Sequence, residues 1–96
     1  MTTGQLVLTG DLDFEARAVF IAAAREAIAS SESEMALDCS GVGTVGRLDD
    51  AVIGMLVTLA RAAQRRGARV VLVRAPKLMV AQLRAAGVDH FFNYRG

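Results

Sequence analysis

The sequence is short of several residues on which common functional sites are built. One cysteine, Cys39, cannot close an internal disulfide. With the one histidine, His90, it leaves too few nitrogen and sulfur ligands for a structural zinc site. Nucleophilic catalysis by a Cys/His pair would need Cys39 and His90 to meet in the fold, with nothing in their spacing to bring them together. Tryptophan is absent, and four Phe and one Tyr are too few to interleave with the basic residues and stack bases. The longest uninterrupted apolar runs, residues 18–24 and 51–57, are seven residues each, against the roughly 20 that a membrane-spanning helix needs. The opening Met-Thr-Thr-Gly-Gln has no positive region leading into an apolar stretch, so no secretory signal is expected and a reducing cytoplasm is the expected setting. Neither sign of charge prevails: 11 Lys and Arg face 10 Asp and Glu, so net charge draws in neither a polyanion nor a polycation.

What is present is a chain of 96 residues, 53% of them hydrophobic, the size of one small domain spanning 1–96. Its charge is split along the chain. Residues 1–50 hold nine acids and three arginines, a net of −6, and residues 51–96 hold eight bases and one acid, a net of +7.

Strand-like and helix-like segments alternate. Residues 5–9 are β-prone and end at Gly10-Asp11. Asp13 is placed to cap a helix running to about Ser30, with Phe14, Ala18, Ile21 and Ile28 on one stripe and Arg25 close to it. Residues 35–39 predict a second strand, and the glycine-containing loop 41–48 leads to a second helix capped by Asp49 or Asp50. There Val52, Leu56, Leu59 and Ala63 fall on one face, and Gly67 ends the helix. Residues 68–74 have the near-continuous apolar pattern of a buried strand. Pro76 opens a third helix, Gly87 closes it, and the last residues form a short strand or a flap. Strands alternating with helices imply an α/β layer with parallel pairing through right-handed crossovers.

The glycines between 41 and 46 precede a helix, yet they contain neither Gly-Lys-Ser/Thr nor Gly-x-Gly-x-x-Gly, and Asp49 and Asp50 would repel a phosphate from the helix start. The acidic pair has two readings, cap and dipole complement or a place where a partner acts. A Mg²⁺ site built from Asp38, Asp49 and Asp50 lacks a confirming ligand spacing. Arg61, Arg65, Arg66 and Arg69 cluster near the end of the second helix, where the helix dipole favours cations, and a solvated helix face explains them better than nucleic acid does.

Five motifs in order carry a family resemblance: Leu8-Thr9-Gly10-Asp11-Leu12-Asp13; Leu37-Asp38-Cys39-Ser40-Gly41-Val42; Ile53-Gly54-Met55-Leu56; Arg66-Gly67-Ala68-Arg69-Val70-Val71-Leu72-Val73; and Ala86-Gly87-Val88-Asp89-His90-Phe91-Phe92. Together they resemble STAS domains, the family of bacterial anti-sigma factor antagonists, over nearly the whole chain. The resemblance implies a central mixed, mainly parallel sheet of about four strands with helices packed on it. It also implies a binding module and not an enzyme, with no cofactor, which sequesters an anti-sigma factor or a serine kinase of the histidine-kinase-like ATPase type and is switched off by phosphorylation at the start of the second helix. Aligned back from Gly54, the family's Asp-Ser-Ser-Gly falls on Asp49-Asp50-Ala51-Val52, so Asp50 and Ala51 replace its hydroxyls; aligned without extra residues in the preceding loop it falls on Gly46-Arg47-Leu48-Asp49, which has no hydroxyl either, and in both registers the usual switch is expected to be absent. Thr44 and Ser40 are the only hydroxyls nearby. The expected partner surface comprises Asp11, Asp13, Ser40, Thr44, Arg47, Asp49 and Asp50. Only residues 1–4 remain for the family's first strand, which is expected to be missing, leaving a sheet edge for a homodimer or partner. The alternative within the same resemblance is a subunit of a transport or signalling assembly, or a small-ligand sensor, without a kinase.

Overall fold

Residues 69–73, Arg-Val-Val-Leu-Val, combine β-branched side chains with almost no polarity, a composition that suits a strand buried on both sides. They form the inner strand of a sheet that the computed structural model, which describes residues 6–9, 13–30, 33–42 and 48–96, resolves into four strands and three helices. The elements are β1 (Leu6–Val7), α1 (Phe14–Ser30), β2 (Glu34–Asp38), a 3-10 turn (Ser40–Val42), α2 (Asp50–Arg65), β3 (Arg69–Val73), α3 (Lys77–Ala85), a second 3-10 turn (Asp89–Phe91) and β4 (Phe92–Arg95). The expected α/β class is present. The sheet, expected to have about four strands and to be mainly parallel with a mixed part, has four described strands, all parallel, in the order β1-β2-β3-β4. Residues 1–4, where a further strand was expected to be missing, lie outside the described residues.

Every connection steps to the next strand in the same direction, so right-handed crossovers put all three helices on one face of the sheet. The core follows suit. Met35 and Leu37 of β2 with Cys39 just after it, Val70 and Leu72 of β3, and Phe92 of β4 share one side of the sheet, and they pack against Phe20, Ala24 and Ile28 of α1, six residues of α2, and Met79 and Leu83 of α3. Helix α2 bears out its pattern: Val52, Leu56, Leu59 and Ala63 are all buried.

Helix α1 meets half of its expected stripe: Ile28 is buried and Ile21 packs partly buried against the core, while Phe14 is 79% exposed and Ala18 is exposed, and Phe20 and Ala24 complete the buried line. Because its apolar residues lie almost all round the helix, spacing alone does not choose the face, and packing against β2 and α2 does. Arg25, close to the stripe, is exposed. Gly67 and Gly87, both at φ 76, close α2 and α3 in the left-handed conformation that glycine adopts without strain.

The face without helices carries Glu34, Ala36 and Asp38 of β2, Arg69, Val71 and Val73 of β3, and Asn93 and Arg95 of β4. Arg95 Nη2 lies 2.8 Å from Glu34 Oε1. The strand register puts these residues at opposite ends of the sheet, so the pair crosses the middle of β3. Val71 sits at that crossing and is 1% exposed, sheltered by the hydrocarbon stems of long charged side chains instead of by a helix.

Candidate functional site

In a parallel sheet all carboxyl ends share one edge, and there the chain leaves β1 for α1, β2 for α2 and β3 for α3. The topology therefore brings Asp13, Ser40, Asp49, Asp50 and Ala51 to one side of the molecule. Asp11, Thr44 and Arg47 lie outside the described residues.

Asp38 organises this edge. Its Oδ1 accepts hydrogen bonds from the backbone N–H of Ser40 at 2.9 Å and from the Ser40 hydroxyl at 2.7 Å, and its Oδ2 meets Arg74 Nη2 at 2.6 Å. These donors hold the Asp38 carboxyl below the ordinary aspartate value, the Ser40 amide contributing most, then the Ser40 hydroxyl, with Arg74 adding less and burial opposing. Ser40 thus serves the turn at the strand end. A Cβ on the next residue, Gly41, would stand 3.1 Å from the carbonyl oxygen of Leu8, so glycine lets this turn lie close against the end of β1.

Asp13 caps α1: its Oδ1 accepts from the N–H of Ala16 at 2.7 Å. Asp49 behaves differently. It occupies the N-cap of α2, and its carbonyl accepts from Val52 and Ile53, but its side chain makes no cap hydrogen bond. Asp50 is the first residue of the helix, where the dipole favours a carboxylate. Asp49, Asp50 and Ala51 are exposed, and among the described residues no cation pairs with either carboxylate. The capping reading therefore holds for the dipole and fails for the Asp49 side chain.

A clamp fixes this helix start. The Gln82 side chain on α3 accepts from Leu48 N–H at 2.8 Å and donates to Leu48 C=O at 2.7 Å, tying the residue just before α2 to the neighbouring helix. Sequence reasoning missed Gln82, whose polarity on α3 signals nothing until a partner 34 positions away is known. It also missed Arg74, for which being the first residue after a buried strand was the available cue. Arg74 is the one described non-glycine residue at positive φ, 56°.

Cys39 is buried, and desolvation first, then the Asp38 charge, pushes its thiol up to about 12, so it stays protonated at neutral pH and is a poor nucleophile. Among the described residues no group of three or more His, Cys, Asp or Glu side chains could hold a metal ion. Three of the four clustered arginines make contacts within the fold: Arg61 lies 6.0 Å from the Phe91 ring centroid, Arg66 donates to Ala29 C=O, and Arg69 donates to His90 C=O and Asn93 Oδ1. Among the described residues no helix is long and apolar enough to cross a membrane.

The family model described as "Mlab, STAS domain" matches residues 2–93. The NMR structure of the protein TM1081 is similar with a TM-score of 0.73 and 17% sequence identity, over 92% of this chain and 69% of that chain, a likeness of fold. No curated protein matches the sequence.

Proposed function

The chain belongs to the STAS domain family, and from that premise we propose that it is a non-enzymatic, cytoplasmic recognition module that acts as anti-sigma factor antagonists do, by sequestering an anti-sigma factor or a serine kinase of the histidine-kinase-like ATPase type. The observation that carries this reading is the start of α2, where Asp49 and Asp50 are exposed, have no ion-pair partner among the described residues, and are pinned in place through Leu48 and Gln82. A carboxylate pair on a rigid element is ready to meet a cationic partner surface without an ordering cost. Asp13 and Ser40 flank it on the same edge, with Asp11, Thr44 and Arg47 assigned to the same surface from the sequence motif. The outer edge of β1, beside which no described strand lies, is the proposed homodimer contact.

Asp50 and Ala51 stand where the family carries hydroxyls, so binding at this edge is constitutive and not released by phosphate. The same substitution favours a second reading, a STAS-like subunit of a transport or signalling assembly that has no kinase.

The test is affinity capture with the tagged protein, followed by the same capture with Asp49→Ala and Asp50→Lys. Recovery of a histidine-kinase-like ATPase supports the first reading, and recovery of a membrane transporter subunit supports the second. Either partner is expected to bind Asp50→Lys at least about tenfold more weakly; unchanged binding would remove the partner from this edge. With a captured kinase, the wild type is expected to take up no phosphate at the helix start, and Ala51→Ser to take it up. Stoichiometric phosphorylation of the wild type overturns the constitutive reading.

A further inference from the structure

A second concave site lies apart from Asp49 and Asp50, between α3 and the end of β4. It is an open cleft of about 530 Å³, within the range of small-molecule sites. Leu72, Ala75, Val80 and Tyr94 give it a mostly apolar lining, and Arg74 and Arg84 stand at it. It lies outside the carboxyl ends of two neighbouring strands, β3 and β4.

The polar groups set the charge of what would fit. Among the described residues the Arg84 side chain makes no hydrogen bond, and its ion-pair neighbour, Asp89 Oδ2, is 4.0 Å from Nε, so most of its fork of donors is unspent. Arg74 spends one nitrogen on Asp38 and keeps other N–H groups. The Tyr94 hydroxyl is turned away from any ligand, since it donates to Asp89 C=O at 2.8 Å, and this holds the ring as a fixed wall. The lining holds three guanidinium groups, Arg74, Arg84 and Arg95, against the carboxylate of Asp89; Arg74 and Arg95 are also paired with Asp38 and Glu34, which leaves Arg84 the least committed cation over the apolar floor. Arg74 reaches the cleft mouth from a left-handed backbone conformation, which is unfavourable outside glycine and persists where the surroundings over-determine it.

We propose that this cleft binds a small organic carboxylate with a compact apolar body, its charged end taken by the guanidinium groups of Arg84 and Arg74 and its body lying on Leu72, Val80 and the Tyr94 ring. Guanidinium pairs bidentately with carboxylate, which fixes orientation, and the apolar floor supplies the area. The cleft opens on the same carboxyl-end side of the sheet as the surface assigned to the partner but is lined by none of Asp13, Ser40, Asp49 and Asp50, so its failure and the failure of that reading are separable.

The probe is 2-naphthoate, an aryl carboxylate, titrated into the full chain and followed by amide chemical-shift changes. Binding with a dissociation constant around 1 mM is expected, the scale set by ligand efficiency for a molecule of this size. The shifts should centre on Leu72, Ala75, Val80 and Tyr94. Arg84→Glu, at an exposed position, is expected to weaken binding about tenfold or more. The neutral analogue 2-naphthalenemethanol is expected to bind about tenfold more weakly than the acid. Val80→Trp, which fills the cleft, is expected to abolish binding; should that variant not fold, Arg84→Glu and the neutral analogue decide alone. No saturable shift with the wild type, shifts scattered over other elements, or equal affinity of Arg84→Glu and the wild type would each overturn the proposal.

Discussion

Asp38 shows how much of this edge hangs on one side chain. It lies at the end of β2 and collects the Ser40 amide, the Ser40 hydroxyl and the Arg74 guanidinium. Its pKa is lowered from the ordinary 3.8, so the folded state releases this proton more readily than the unfolded chain does. The resulting stabilisation is complete above that ordinary value and is lost as pH falls through the lower folded value. Asp38→Asn keeps the shape, loses the charge and cannot titrate. In urea melts taken from neutral pH down to about pH 2, the variant is expected to be less stable than the wild type at neutral pH, and the two curves to converge toward the acid end. Parallel curves would show that the Ser40 and Arg74 contacts do not favour the charged form. The buried Cys39 beside it follows the opposite sign: with a thiol raised to about 12 it remains a protonated core residue.

At the scale of elements, the clamp between α3 and the start of α2 is the contact most open to test. Gln82→Ala removes both hydrogen bonds to Leu48 and leaves its N–H and C=O, in a residue 2% exposed, without these partners. A loss of about 2 kcal/mol is expected, or roughly 10 °C in Tm for a domain of this length, with α3 still formed. A shift of less than about 2 °C would mean that water replaces the clamp. The elements themselves were largely legible in the sequence. Helix α2 has a narrow apolar face and polar residues opposite, so its buried side could be named residue by residue. Strand β3 is apolar on both sides of its pleat, and Gly67 and Gly87 mark real helix ends. The orientation of α1 was only partly legible, because alanine, valine and phenylalanine surround it and no periodicity separates Phe14, which is exposed, from Phe20, which is buried. The site was legible in part. Motif order placed Ser40, Asp49 and Asp50 on one edge, whereas Gln82, Arg74 and the Glu34–Arg95 pair gain their roles only from neighbours far away in sequence.

At the scale of the whole molecule, the one-sided sheet sets what remains open. Parallel sheets are usually covered on both faces. Here the helix-free face closes over β3 with the crossed pair Glu34 and Arg95 and with Arg69 bonded to Asn93, which hides Val71 without a second layer of helices. Among the described residues no strand covers the outer edge of β1, and Val7 is 54% exposed. Sedimentation velocity over a concentration series is expected to show a monomer passing to a dimer, and Val7→Lys, which places a charge on that strand, to hold the monomer. A strict monomer at the highest concentration would remove the edge as a self-contact.

The order β1-β2-β3-β4 also bears on how the chain assembles. In sheets whose order departs from the sequence, a late strand must insert beside one formed much earlier, and the early strands wait unpaired until it arrives. Here each strand joins the flank left by the one before it, through a single intervening helix. The longest chain closure is never more than one β-α-β step, which limits the entropy lost before contacts form. A chain emerging from the ribosome can therefore add its units in the order of synthesis, with the unpaired flank moving toward the carboxyl terminus until β4 is laid down.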